Sequence, residues 1–308
     1  MIKPTIKTTH FSIIAVASMM LILTACDSTD SSSNGSLSVS VTDAPVDEAD
    51  NVFVEFNGME IKPANGDPIT FDFTERCTND PTSCQIDLLS LTGGSSELIL
   101  DGETVLSGQY SWLRLMVNAE QNVRDSYIVV NGKEYELRIP SGAESGLKLN
   151  RGFVVPAGGE ASFTIDFDLR KSVHNPVGGS DYILRPSLRM VDNTETGTLS
   201  GNVDPSFFAS GTCKGAVYVF VDGTVDAPDD EDGEGFGPDP IASALVKDDG
   251  VHGYNVSFLS EGDYLVAFTC DALADIPDED NDNTAVSFLS TATVTVIANS
   301  NKVYDFQP

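Results

Sequence analysis

Asp278, Asp280 and Asp282 occupy alternate positions in the run Asp-Glu-Asp-Asn-Asp-Asn that ends at Asn283. That spacing lets a looping backbone turn several hard carboxylate oxygens toward one Ca²⁺. An EF-hand loop counted from Asp278 needs Gly at its sixth position and Glu at its twelfth. This chain has Asn283 and Leu289 there, so the full motif is absent. A second acidic run, Asp229 to Asp232, lies near Asp226, Glu234 and Asp239. Two readings of these loops stand side by side: a shared calcium site, or solvated charge that keeps the protein soluble. No motif demands a cofactor; Ca²⁺ is a possible one, and solvated charge is the commoner reading of such runs. Tyr110, Trp112 and Arg114 alternate with Leu113, Leu115 and Val117, which predicts a strand whose polar face carries the chain's one tryptophan. Aromatics exposed on a sheet can stack on sugar rings; the alternative is that they simply pack. Acid–base chemistry finds little support. His10 falls in the N-terminal leader, and neither His174 nor His252 sits beside a nucleophile motif. Paired carboxylates are uninformative among 47 acidic residues, and the chain is expected to be no enzyme.

The elements that position these residues begin with a leader. Lys3 and Lys7 precede an apolar run, Phe11 to Leu23, that is shorter than the ~20 residues of a bilayer-spanning helix. It closes with Leu23-Thr-Ala-Cys26, which resembles a bacterial lipobox. The resemblance implies cleavage of residues 1–25 and acylation of Cys26, leaving a lipid-tethered protein of the bacterial cell envelope, periplasmic or surface-exposed. Asp27 resembles an inner-membrane retention signal of enteric bacteria, and the leaflet stays open. Residues 26–35 are small and polar and read as a flexible tether.

With Cys26 assigned to lipid, four cysteines remain. Local pairing favours Cys77–Cys84 and Cys213–Cys270 disulfides in an oxidising compartment. A zinc site is the weaker alternative, because Cys-x-x-Cys spacing is missing. Removing Lys3 and Lys7 takes the net charge from −30 to −32. A surface this acidic excludes nucleic acid and gains nothing from anionic headgroups. The expected partners are the membrane, through the lipid on Cys26, and a glycan or another envelope protein.

Apolar residues recur at period two in Leu37, Val39, Val41; in Ile69, Phe71, Phe73; and in Ala161, Phe163, Ile165, Phe167, Leu169. Tyr127–Val130, Asn131-Gly132 and Lys133–Ile139 predict a hairpin with a type I′ turn. No helical period of similar length appears outside the leader. Further strands are predicted at 215–222, 253–259, 263–270, 292–297 and 302–306. Antiparallel pairing of 216–221 with 263–269 would bring Cys213 to Cys270. The expectation is an all-β protein of two β-sandwich domains, 36–192 and 197–308, with the boundary where the apolar pattern lapses around Asp192–Gly197.

Six segments carry a resemblance: Leu37-Ser-Val-Ser-Val-Thr-Asp-Ala-Pro45, Asp87-Leu-Leu-Ser-Leu-Thr-Gly-Gly94, Gly108-Gln-Tyr-Ser-Trp-Leu-Arg-Leu115, Pro140-Ser-Gly-Ala-Glu-Ser-Gly-Leu-Lys148, Asp166-Phe-Asp-Leu-Arg-Lys-Ser172 and Leu184-Arg-Pro-Ser-Leu-Arg189. Together they resemble the bacterial lipoprotein family called domain of unknown function 4382. The resemblance implies an exported β-rich domain and supplies no catalytic residues. Tyr254-Asn-Val-Ser-Phe-Leu-Ser-Glu-Gly-Asp-Tyr-Leu-Val266 resembles the signature hairpin of carboxypeptidase regulatory-like, transthyretin-type modules. The function expected from all this is non-catalytic binding of carbohydrate or envelope polymer. The alternative is a calcium-stabilised structural or assembly partner of another envelope protein.

Overall fold

Alternating apolar residues punctuated by Gly, Pro and Asn can bury one face only by stacking sheets, and the computed structural model does so twice. It describes residues 33–44, 49–73, 84–120, 122–140, 146–175, 182–223, 228, 239–275 and 286–308. In chain order the first part carries β1 (Asn34–Ala44), β2 (Asn51–Pro63), β3 (Ile69–Asp72), β4 (Gln85–Asp87), β5 (Glu97–Leu106), β6 (Gly108–Asn118), β7 (Tyr127–Val130), β8 (Lys133–Arg138), β9 (Leu147–Leu149), β10 (Phe153–Val155), β11 (Glu160–Asp168), β12 (Val173–His174), β13 (Tyr182–Leu184) and β14 (Ser187–Asp192). The second carries β15 (Thr196–Asn202), β16 (Ala216–Val221), β17 (Ala242–Leu245), β18 (Gly253–Ser260), β19 (Gly262–Thr269), β20 (Phe288–Val296) and β21 (Asn301–Val303).

A four-stranded sheet, β14-β11-β1-β5, faces a larger one ordered β10-β6-β2-β7-β8-β13-β12, with β3 and β4 on β2 and β9 on β6. Leu37, Val39 and Val41 of β1 and Phe163, Ile165 and Phe167 of β11 fill one side of the core. Val54, Phe56 and Ile61 of β2 and Leu113, Leu115 and Val117 of β6 fill the other. Phe56 meets Phe167 edge-on across the sheets, centroids 6.0 Å apart, a favoured aromatic arrangement. β1 and β11 pair in parallel, although their sequences lie far apart.

The second sandwich stacks β18-β15-β21 on β17-β16-β19-β20. Its core holds Leu199, Tyr254 and Val256 against Val217, Val266 and Phe268, and Phe306 closes it from the C-terminal segment. β16 and β19 pair antiparallel from Ala216↔Thr269 to Val221↔Tyr264. Cys213 and Cys270 are thereby brought together and bonded, with Cα atoms 4.5 Å apart. Residues 33–308 form one compact unit in which each sandwich keeps its own core. Among the described residues no helix is long and apolar enough to cross a membrane.

Three sequence expectations change in detail. The strand predicted at 292–297 begins earlier, at Phe288, and ends at Val296. The strand predicted at 302–306 is shorter and starts one residue earlier, Asn301–Val303. Tyr110 does not share a face with Trp112 and Arg114. β6 pairs Lys62↔Trp112 and Pro63↔Tyr110, so Ser111 has no opposite number. This extra residue is a bulge, and it reverses the alternation. Tyr110 therefore enters the core beside Leu113, 1% exposed and stacked on Phe153 at 4.9 Å.

Candidate functional site

Beyond the bulge, β6 alternates as the sequence predicts. Leu113, Leu115 and Val117 point inward while Trp112 and Arg114 stand half-buried on the outer face. Arg114 lies opposite Glu60 of β2 and bonds it, Nη1 to Oε2, at 3.0 Å. On its other side Arg114 lies opposite Lys148 of β9. The Arg114 guanidinium stands 4.9 Å from the Trp112 ring centroid and the Lys148 ammonium 4.7 Å. Both are within cation–π range. Lys62 is paired directly across from Trp112, and its ammonium donates to the Gly66 carbonyl.

Along the same outer face, planar polar groups continue from strand to strand. Asn57 Nδ2 donates to Asn118 Oδ1 at 2.6 Å, and Asn118 Nδ2 donates to Glu55 Oε1 at 2.7 Å. Arg114 Nε and Asn57 Oδ1 are buried and have no hydrogen-bond partner among the described residues. An indole with cations against it, bordered by amides and carboxylates, offers a ring face for stacking and both donors and acceptors for hydrogen bonds.

A second concentration of polar residues lies where the two sandwiches meet, around a cavity of about 290 Å³. Thr42 and Asp43 of β1, Asp166 and Asp168 of β11 and Arg189 of β14 border it. They are neighbours because β14, β11 and β1 are adjacent: Thr42 pairs with Asp166, and Asp166 with Arg189. Burial pushes the Asp166 carboxyl above its ordinary range, and Asp168 adds to the rise, while Arg189 at 2.5 Å opposes it. Across the junction Asn255 Nδ2 donates to the Gly93 carbonyl at 2.6 Å. Gly94, at φ +92°, approaches so closely that a Cβ would lie 2.4 Å from Ser257 Oγ. Phe258 takes φ +56° where β18 bulges against β15, a strained conformation for a bulky residue. Four of the six quoted segments thus contribute residues to one junction. Their sequences signal this only through carboxylates at the ends of otherwise apolar strands.

Cys213–Cys270 is a disulfide. Cys84 is disulfide-bonded as well; Cys77, its predicted mate, lies outside the described residues, as do Cys26, Asp278, Asp280 and Asp282. Among the described residues no group of three or more His, Cys, Asp or Glu is arranged to hold a metal ion. His252 stacks on Phe208 at 3.9 Å, and its backbone N–H donates to Asp249, a structural setting.

Residues 34–186 match the family described as Domain of unknown function (DUF4382). That region of the chain belongs to the family. The DUF4382 domain is the first sandwich, and all six quoted segments fall within it or at its margin. No curated protein matches the chain. Among solved structures, it is similar to the Bacillus anthracis TIE protein at 11% identity and TM-score 0.21, covering 89% of this chain and 34% of that one. The chain thus spans about a third of that protein's length. It is also similar to a minor pilin of Streptococcus agalactiae at 8% identity and TM-score 0.21, covering 87% of this chain and 94% of the pilin. The major pilin subunit BcpA of Bacillus cereus gives 9% identity and TM-score 0.20, covering 88% and 99%. These likenesses are too slight to bear on function.

Proposed function

We propose that the chain is a non-catalytic, lipid-tethered module of the bacterial cell envelope that binds an acidic saccharide or envelope polymer on the outer face of its DUF4382 domain. The observation that carries this reading is the Trp112 ring, half-buried on a polar sheet face with the Arg114 and Lys148 cations against it. Arg114 and Lys148 outnumber Glu60 beside the ring, although the whole chain carries −30. The global charge repels a polyanion at long range. At physiological salt that repulsion is screened beyond about 8 Å, so the local patch decides contact. A uronic acid or phosphate-bearing sugar would meet cations and an aromatic surface.

Native gels containing acidic or neutral polysaccharides test the reading. Retardation by acidic polymers is expected, lost in Trp112→Ala and weakened in Lys148→Ala, with the far-ultraviolet spectrum of both variants unchanged. Undiminished retardation of Trp112→Ala, or no retardation of the parent chain, overturns it.

A further inference from the structure

Every open sheet leaves edge strands whose unpaired N–H and C=O groups can template another strand, and proteins normally guard them. Most edges of this fold are guarded. β5 carries Glu97, Asp101 and Glu103, and β14 carries Arg189 and Asp192. β10, β12, β17 and β21 have four residues or fewer. β18 is uncharged, but it bulges at Phe258 and is tied to Gly93 through Asn255.

β20 is different. It runs nine residues, Phe-Leu-Ser-Thr-Ala-Thr-Val-Thr-Val, with no charge, proline or glycine. Residues 283–301 carry no charged side chain in a chain of net charge −30. Among the described residues its backbone bonds to β19 alone. Exposed apolar side chains mark both of its ends, Leu289 at 50% and Ile297 at 58%.

We propose that β20 is a self-association edge, pairing antiparallel with β20 of a second copy about a twofold axis at Thr293. The exposed side chains of the strand are Leu289, Thr291, Thr293 and Thr295, followed by Ile297. About Thr293 they are self-complementary: Leu289 meets Ile297 of the second copy, Thr291 meets Thr295, and Thr293 meets itself. Aliphatic and Thr–Thr cross-strand pairs are favourable, and an isologous contact is what a twofold dimer requires. Two copies of so acidic a chain repel each other over most of their surface. The uncharged segment is where they can approach without placing like charges opposite one another.

Single cysteines in the full chain test both the contact and its register. Directly opposed residues of an antiparallel pair have Cα atoms about 4.5–5.5 Å apart, within disulfide reach. Thr293→Cys is therefore expected to give an oxidised dimer in the cells that express it. Thr295→Cys is expected to give none, because two such residues would lie about 13 Å apart along the strands. Combining Thr291→Cys with Thr295→Cys restores the dimer. A Thr293→Lys chain with an unchanged far-ultraviolet spectrum is expected to have monomer mass where the parent has twice that. A monomeric parent, or equal cross-linking at 293 and 295, overturns the proposal.

Discussion

Arg189 and Asp166 face each other across the β14–β11 pair, with Nη2 and Oδ2 2.5 Å apart. The pair sits at the junction of the two sandwiches, where burial pushes Asp166 upward in spite of its partner. Desolvation thus outweighs the ion pair, as it often does in protein interiors. With its pKa raised in the folded state, the folded protein binds the proton more tightly than the unfolded chain. The stabilisation is full below the unfolded value, near 3.9, and is lost as pH rises through the higher folded value. Asp166→Asn should remove that slope. It should also leave Arg189 with no carboxylate, at a loss of about 2 kcal/mol, less than for a fully buried pair because Arg189 is partly exposed. Urea midpoints of parent and variant, compared from acid to neutral pH, check both expectations.

The Cys213–Cys270 bridge closes a 57-residue separation. Loop-closure entropy for a loop of that size corresponds to about 4 kcal/mol. A Cys213→Ala/Cys270→Ala chain should therefore unfold its second sandwich first. Hydrogen exchange should show β16 and β19 losing protection while β1 and β11 keep theirs, because the two sandwiches have separate cores.

Two glycines separate strain from collision. At Gly132, φ is +71° and nothing lies within 4 Å of an added Cβ, so Gly132→Ala should cost about 1–2 kcal/mol from backbone strain alone. At Gly201 an added Cβ would lie 1.7 Å from the Tyr304 carbonyl oxygen. Backbone cannot swing aside as a side chain can. Gly201→Ala should displace the C-terminal segment that seats Phe306, costing about 3 kcal/mol or more, at the upper end of overpacking penalties. Denaturant titration ranks the two variants.

The Asn131-Gly132 hairpin was legible in the sequence because all its determinants are local. Asn131 at φ +51° and Gly132 at +71° supply the positive angles that a type I′ turn requires. The all-β class was legible for the same reason, since period two shows within each strand. The junction around Asp43, Asp166 and Arg189 was not. It depends on β1 and β11 pairing in parallel across more than a hundred residues, and no local pattern encodes such a partner. The bulge at Ser111 was equally hidden, because it is defined by the register against β2. One inserted residue there moved Tyr110 from the outer face to the core.

That displacement separates the roles of two aromatics that the sequence groups together. Tyr110 donates its hydroxyl to the Leu106 carbonyl at 2.7 Å and stacks on Phe153. Tyr110→Phe should cost about 1 kcal/mol for the lost hydrogen bond, and Tyr110→Ala about 3–5 kcal/mol for the cavity. Neither change touches the outer face, so a correctly folded Tyr110→Phe chain should be retarded by acidic polysaccharide as strongly as the parent. Trp112 is half-buried on the outer face and held by two cations, and its truncation should show the opposite profile. Stability should fall by about 1–2 kcal/mol, of which about 0.5–1 is each lost cation–π contact, while polymer retardation disappears. Measuring unfolding and gel retardation on both variants decides between a packing role and a binding role for each ring. If Tyr110→Phe lost binding while Trp112→Ala kept it, the outer face would not be the binding surface.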